Sequence, residues 1–506
     1  MKKLVLAVVT AAAVLAAALI PSGAPVEAAQ PGFASAVSAI KQLSWQTNAS
    51  VNALAVSGNT VFAGGLFTRI RQPGKPAGQG EAVRTYIAAF NRTTGAPTSF
   101  APKLNGAVWS IATSPDGNWV VIGGDFTTVN GLPRKRIAMF SVVTGRIVSA
   151  WDPAVSYRVK ALAINQYNQV FLGGSFGRVD GQVRNRLAAL RLIQGDLLAW
   201  NPNADNDVYA IDVSDDGNKV FVGGPFAKLR GIDHYSLAML NTTTGAAYSM
   251  PAAAAIPKPT ATCTTRVKDI DTLGNKVFVS NGGDGSGCYD GVLAADVTTG
   301  KLLWKNNCLG ATEAIKAIGD WVYKGSHAHN CSSSGAFGDG TGTHYLLVES
   351  AVNGQIGPWF PNTDAGGTTK VGPLAMASGG NDLWVGGDFG KVNNTVQQGL
   401  TRFTNVPGGA LPLMPKAPTL SSTVTNQVTV KFTDGYDLDN ILLTYNVFRG
   451  STLIRTYKYY TYYWRQRATT TFVDTGVKKG QTVSYHVEVH DGRNIRKGPA
   501  ASVTVR

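Results

Sequence analysis

The sequence predicts an all-β protein: a seven-bladed β-propeller over residues 30–411, a linker over 412–418 and an immunoglobulin-like β-sandwich over 419–506. Three observations predict it. A turn ending in glycine recurs at Gly95, Gly145, Gly195, Gly245, Gly300, Gly354 and Gly408, at intervals of 50, 50, 50, 55, 54 and 54 residues. The chain has 58 glycines and only 15% charged residues, the composition of many tight turns joining short strands. After Pro418 the repeat stops and short alternating runs take over.

The first 29 residues read as a secretory leader. Lys2 and Lys3 precede an uncharged run from Leu4 to Ile20, followed by small and turn-forming residues ending Val26-Glu27-Ala28-Ala29. Cleavage near Ala28 leaves a chain with no membrane span, and no cysteine near that point accepts a lipid. The formal charge of +15 becomes +14 once Lys2, Lys3 and Glu27 leave. Such a basic balance favours acidic partners. A secreted chain meets wall polymers before nucleic acid, so nucleic acid ranks low among them.

Each repeat carries the pattern of four short strands. The unit from Val108 reads VWSIATSPDGNWVVIGGDF, a polar loop, RIAMF, a Thr-Gly turn and a last run ending at Trp151. Alternation over four to six residues, bounded by turn residues, is the strand signature, and four strands in about fifty residues make a propeller blade. Such a unit cannot bury both faces alone and must stack on neighbours around an axis. Trp151, Trp200, Trp304 and Trp359, with Phe100 and Met250, mark the fourth strands. The run LSWQT around Trp45 has no blade of its own and is expected to complete the seventh. Leu411 to Pro415 competes for that edge.

The recurring GG-x-F, a VNG-like loop and a later Trp-x-Pro resemble the delta-60 type propeller repeats of secreted bacterial proteins. The likeness is clearest in the second and third units and degraded in the fifth and sixth. It implies a scaffold without a single activity. GVLAADVTTGKLLWK, Gly291 to Lys305, also resembles the tryptophan-docking repeat of quinoprotein dehydrogenases, but the adjacent cysteine pair often found there is missing.

Beyond the linker, QVTVKF, TYNVFRG, TFVDTG, VSYHVEVHDG and SVTVR make the strand pattern of a sandwich. The stretch from Thr471 to Asn494, with Tyr485 in a late strand, resembles fibronectin type III domains, although Phe432 stands where that family often has Trp. From Pro412 onward 13 Lys and Arg face 6 Asp and Glu, a net +7. The run RTYKYYTYYWRQR, Arg455 to Arg467, interleaves aromatic faces with cations. Tyr459, Tyr463 and Trp464 are therefore candidates for stacking on sugars or bases. The alternative is that these rings pack on the sheet or against the propeller.

Four cysteines in a secreted chain suggest two disulfides, with three connectivities open. Cys263 and Cys308 fall between blades, whereas Cys288 and Cys331 fall between second and third strands, and these two loop classes share one face. Cys263–Cys288 and Cys308–Cys331 are the expected pairs, each contributing about 3 kcal/mol through loop restriction. The same face carries the long loops Arg69–Arg84 and Ser326–His344. In the latter, His327, His329 and His344 with Asp339 make a candidate zinc or copper set. The alternative is a polar, Gly-rich loop held by the disulfide. Otherwise no cofactor is expected.

Arg84, Arg134, Arg184 and His234 recur every fifty residues and make a candidate basic rim for an anionic ligand. Recurrence also suits a purely structural role. Only Glu81, Glu313, Glu349 and Glu488 remain after cleavage, and no nucleophile-elbow or zincin motif appears. Glu313 and Asp339 are the one carboxylate pair that suits glycoside hydrolysis. The expected function is thus a secreted or envelope-associated monomeric protein whose propeller face binds a carbohydrate, envelope polymer or extracellular protein. The rival is a polysaccharide hydrolase with an appended fibronectin-like module.

Overall fold

The computed structural model describes residues 37–285, 288–367 and 370–506, so the leader expected at 1–29 lies outside the described residues. The protein is all-β; among the described residues the helical turns are Pro251–Ala255 and Ser332–Ser334. No helix there is long and apolar enough to cross a membrane.

Seven antiparallel sheets follow one another along the chain. Their first strands are Val51–Ser57, Val108–Thr113, Val159–Ile164, Ala210–Val213, Cys263–Leu273, Thr312–Ile318 and Pro373–Ala377. Each first strand lies beside that of the next sheet, and the seventh lies beside the first. The Gly-Gly pair in the second strands explains how closely they pack. A Cβ on Gly64, Gly123, Gly173 or Gly223 would run into Val108, Val159, Val208 or Val267 of the following sheet, and one on Gly386 would meet Val51. A Cβ on the second glycine, Gly65 or Gly124, would overlap the backbone carbonyl of Ser50 or Ala107. Both glycines are therefore there for lack of room, and the ring of contacts returns to its start.

Most sheets are narrower than four full strands. After the Thr-Gly turn the chain makes a single bridge, as at Phe90 with Pro97, Phe140 with Ile147 and Leu190 with Leu197. It then leaves the sheet, carrying its aromatic residue into the space between neighbours: Trp151 packs between the second and third sheets and Trp200 between the third and fourth. Among the described residues, the fifth sheet is the one that builds a fourth strand from its own stretch of chain, Leu302–Lys305.

The seventh sheet takes its outer strand from the other end of the chain. Lys41–Gln42 pairs antiparallel with Leu400–Thr404, Lys41 opposite Phe403. Trp45 follows it at the spacing at which Trp151 follows Ile147, and it packs against the buried cluster that contains Phe67, Phe90 and Trp384. The paired residues lie just before the LSWQT run, whose Gln46–Thr47 joins the small hairpin Arg69–Arg71/Glu81–Val83 instead. Leu411 to Pro415 does not take that edge: Leu413 N donates to Tyr436 O at 2.8 Å, drawing this segment onto the C-terminal sheets.

Those two sheets are Thr419–Ser421, Val428–Thr433 and Thr469–Asp474, facing Leu442–Arg449, Thr452–Tyr460, Thr482–His490, Ile495–Lys497 and Ala501–Thr504. Phe432, Tyr445, Val447, Tyr485 and Val487 fill the space between them. The buried Tyr485 hydroxyl donates to Asp474 Oδ2 at 2.7 Å, and Arg449 holds the same carboxylate at 2.9 Å. Asp439 ties this unit to both ends of the ring, accepting from Ser38 Oγ at 3.0 Å, Ala39 N at 2.8 Å and Ala410 N at 2.9 Å.

Candidate functional site

In six of the seven sheets the first strand carries a β-bulge, which in the first, second, third and seventh falls at its second residue opposite a Gly-Gly pair. The skipped residues are Asn52, Trp109, Lys160, Lys268, Glu313 and Leu374; Tyr209 holds the matching place in the fourth sheet. A bulge leaves one residue out of the ladder and re-aims its side chain. All seven line one cavity of about 180 Å³ where the first strands converge. Leu54, Ile111, Leu162 and Met376 lead from it into a deeper space of about 310 Å³, so a channel runs along the ring axis.

Three ion pairs brace the mouth, each bridging neighbouring sheets. Arg158 grips Asp125 through Nε at 2.8 Å and Nη2 at 2.7 Å, and the Trp109 indole N–H donates to the same carboxylate at 2.7 Å. Partial burial opposes the charge on Asp125, but these donors outweigh it and hold the carboxyl below its usual range. Lys160 Nζ meets Asp207 at 2.8 Å, with Ser175 Oγ donating to that oxygen at 2.7 Å. Lys268 Nζ donates to both oxygens of Glu313 at 3.0 Å. The cations also fix the rings: Arg158 stands 4.8 Å over Trp109 and Lys160 4.4 Å over Tyr209. The half-buried rings are thus held before any ligand arrives.

Deeper in the channel lie Asp212, Asp269, Asp271 and Lys316. Their carboxylates staple adjacent first strands: Thr272 N donates to Asp212 at 2.7 Å, Ile315 N to Asp269 at 2.9 Å and Ala317 N to Asp271 at 2.6 Å. Desolvation, then the Asp271 charge, raises Asp212 to about 6; desolvation chiefly raises Asp269 to about 7. Because these folded values exceed the unfolded ones, the native state keeps protons that the unfolded chain loses. The stability they contribute is full below about pH 4 and is lost as pH rises toward 7. Asp212→Asn keeps the acceptor oxygen for Thr272 and removes the charge. Its melting temperature relative to the parent should therefore be near zero at pH 5 and positive by a few degrees at pH 8, a difference readable by calorimetry.

Several residues singled out from sequence lie elsewhere. Arg84, Arg134 and Arg184, expected as a basic rim, are each engaged within their own sheet. Each donates to the carbonyl of its preceding residue and to a carbonyl fourteen or fifteen residues on: Thr98 at 3.2 Å, Ser149 at 2.7 Å and Leu198 at 3.0 Å. They clamp the end of their own sheet, which is why they recur. In the fourth unit that clamp passes to Arg230, bound to Thr244 O at 2.9 Å. His234 lines a groove with Tyr235 and Ile256, and burial lowers its pKa.

The histidines do not converge either. No group of three or more His, Cys, Asp or Glu among the described residues is placed to hold a metal. His329 Nδ1 pairs with Asp339 at 2.9 Å on the surface. His344 is buried, 4.0 Å from the Phe337 ring and 5.4 Å from Tyr463, and burial depresses its pKa to about 4. His327 is also lowered by burial, against the pull of Glu313 and Asp290. As for the carboxylate pair, Glu313 belongs to Lys268 and Asp339 to His329 and Asn330, so each is committed to a different partner.

Tyr463 and Trp464 are not a free stacking platform. They pack against Phe360 and the loop of the sixth sheet, with Trp464 4.8 Å from Phe360 and 5.7 Å from Phe337. Tyr459 lies over the sandwich core, its hydroxyl 2.8 Å from Thr470 Oγ1. The same interface holds the Cys308–Cys331 disulfide; Cys263–Cys288 is the other, so both pairs are those expected from the repeat register. Two disulfides fit an oxidising, extracellular setting.

Sequence reasoning passed over Trp109, Lys160, Tyr209 and Lys268. A signal for them existed: in units that begin mostly Val-x-Ala-Ile or Val-x-Ala-Leu, the position x runs Asn52, Trp109, Lys160, Tyr209, Lys268, Glu313 and Leu374 and varies in chemistry more than its neighbours. Comparison with protein-family models and with curated proteins finds no match to this chain.

Proposed function

We propose that this is a secreted or envelope-associated binding protein, built as a seven-bladed β-propeller with a fibronectin type III-like module, whose channel mouth engages a carbohydrate. The ring of contacts from the seventh sheet back to the first supports the propeller reading, and the two disulfides support an extracellular one. One observation carries the functional reading. Successive sheets bring two pinned aromatic rings, an amide, Lys160 and the Lys268–Glu313 pair to the lining of one polar cavity of about 180 Å³, with Arg158–Asp125 bracing Trp109 and Asp207 holding Lys160. Apolar faces beside dense, oriented hydrogen-bonding groups match a sugar, which offers C–H faces and hydroxyl edges. The C-terminal module, packed through Trp464 and Asp439, acts as a fixed spacer.

Retention on an immobilised glycan panel tests this. Trp109→Ala and Tyr209→Ala should each weaken retention about tenfold, a stacking contribution of about 1–3 kcal/mol, while leaving the melting temperature within a few degrees of the parent. Unchanged retention in the double variant would overturn the reading.

A further inference from the structure

The chain is strongly basic, yet its channel mouth is not. Among the described residues, the bulge positions and the side chains bonded to them supply three cations, Arg158, Lys160 and Lys268, and three carboxylates, Asp125, Asp207 and Glu313. Every one of these charges is matched across a sheet boundary, with side-chain exposures between 15% and 34%. Asn52, Trp109, Tyr209 and Leu374 complete the ring without charge.

Resting on the carbohydrate reading above, we propose that the ligand of this mouth is a neutral saccharide, of hexose or N-acetylhexosamine type, and not an acidic polymer drawn by the net charge. An anionic sugar would have to pull a partly buried cation from its carboxylate, leaving that carboxylate unpaired beside the new anion. Two of the cations are further committed to rings, Arg158 over Trp109 and Lys160 over Tyr209. A neutral sugar breaks no pair. Its hydroxyls donate to the lone pairs of Glu313, which lines the cavity, and accept from the remaining N–H groups of Lys160, Lys268 and Asn52, and its C–H face lies on a ring held in place. The ion pairs serve as a preorganised polar frame.

The test uses the full chain against immobilised neutral hexose and N-acetylhexosamine hexamers and against uronate hexamers, at about 20 and about 500 mM NaCl, a range over which screening separates charged from neutral ligands. Neutral hexamers are expected to bind with a Kd that changes less than about twofold between the two salts, and binding should fall about tenfold in Trp109→Ala. Asp207→Asn, which frees Lys160, is expected to add uronate binding that high salt removes. Uronate retention by the parent that survives Trp109→Ala and Tyr209→Ala lies off the mouth and, alongside neutral binding, leaves the assignment standing. Salt-sensitive uronate binding by the parent, lost in Trp109→Ala, overturns the neutral-ligand assignment but keeps the carbohydrate reading. Retention of neither class defeats the carbohydrate reading itself.

Discussion

Lys324→Met is expected to destabilise the protein by about 3–5 kcal/mol at pH 8, the cost of stranding a buried charge. Lys324, on the second strand of the sixth sheet, and Glu349, on the third, form an ion pair whose side chains are both wholly inaccessible to solvent. Burial raises the Glu349 pKa while the Lys324 ammonium lowers it. Without the ammonium only the raising effect remains. The folded value then lies further above the unfolded one, so the native state binds a proton that the unfolded chain releases. The deficit should therefore grow as pH rises from 5 to 8. Lys324→Met combined with Glu349→Leu removes both charges and should recover most of the loss, because an apolar pair of similar volume avoids the desolvation. Denaturant melts of the three proteins at both pH values check this. A deficit in the single variant that is independent of pH would show that the lost packing of the lysine stem, and not the stranded carboxyl, governs.

Gly124→Ala should cost about 3 kcal/mol and weaken ligand retention as well. The added methyl would overlap the Ala107 carbonyl, and backbone has no rotamer through which to yield. Ala107 directly precedes the bulge that aims Trp109, so relief of the overlap shifts the ring together with its bond to Asp125. Two controls separate crowding from conformation. Gly131→Ala meets open space but sits at φ +80° in the small hairpin turn, and should cost about 1 kcal/mol with retention unchanged. Gly338→Ala meets neither obstacle and should be silent. Thermal melts and glycan retention of the three variants check the order; equal losses for Gly124→Ala and Gly131→Ala would refute the close-packing account.

Much of the architecture could be read in advance because it is written in spacing. The glycine period counted the sheets, and the loop classes defined by that period paired Cys263 with Cys288 and Cys308 with Cys331. The site was harder for the same reason. Recurrence drew attention to Arg84, Arg134 and Arg184, yet a residue repeated between units answers a demand that those units share, here a carbonyl fourteen or fifteen residues on. The residues that line the channel mouth stand at a position where the units differ. Proximity along the chain misled in a second way at His327, His329 and His344. Tyr463, far along the chain, helps enclose His344 in an aromatic cluster, while Asp339 holds His329 at the surface.

The amino-acid sequence alone determined the strand period, the number of units, the switch to a second β unit and the disulfide partners, because turn residues, alternation and register act over short distances along the chain. Only the tertiary structure decided which end of the chain supplies the seventh sheet's outer strand, that Tyr463 and Trp464 fill an interface, and that Arg158, Lys160 and Lys268 at the channel mouth are each paired with a carboxylate. Each of these depends on groups brought together from different sheets, where a bulge or a neighbouring backbone, and not the sequence around a residue, sets what its side chain meets.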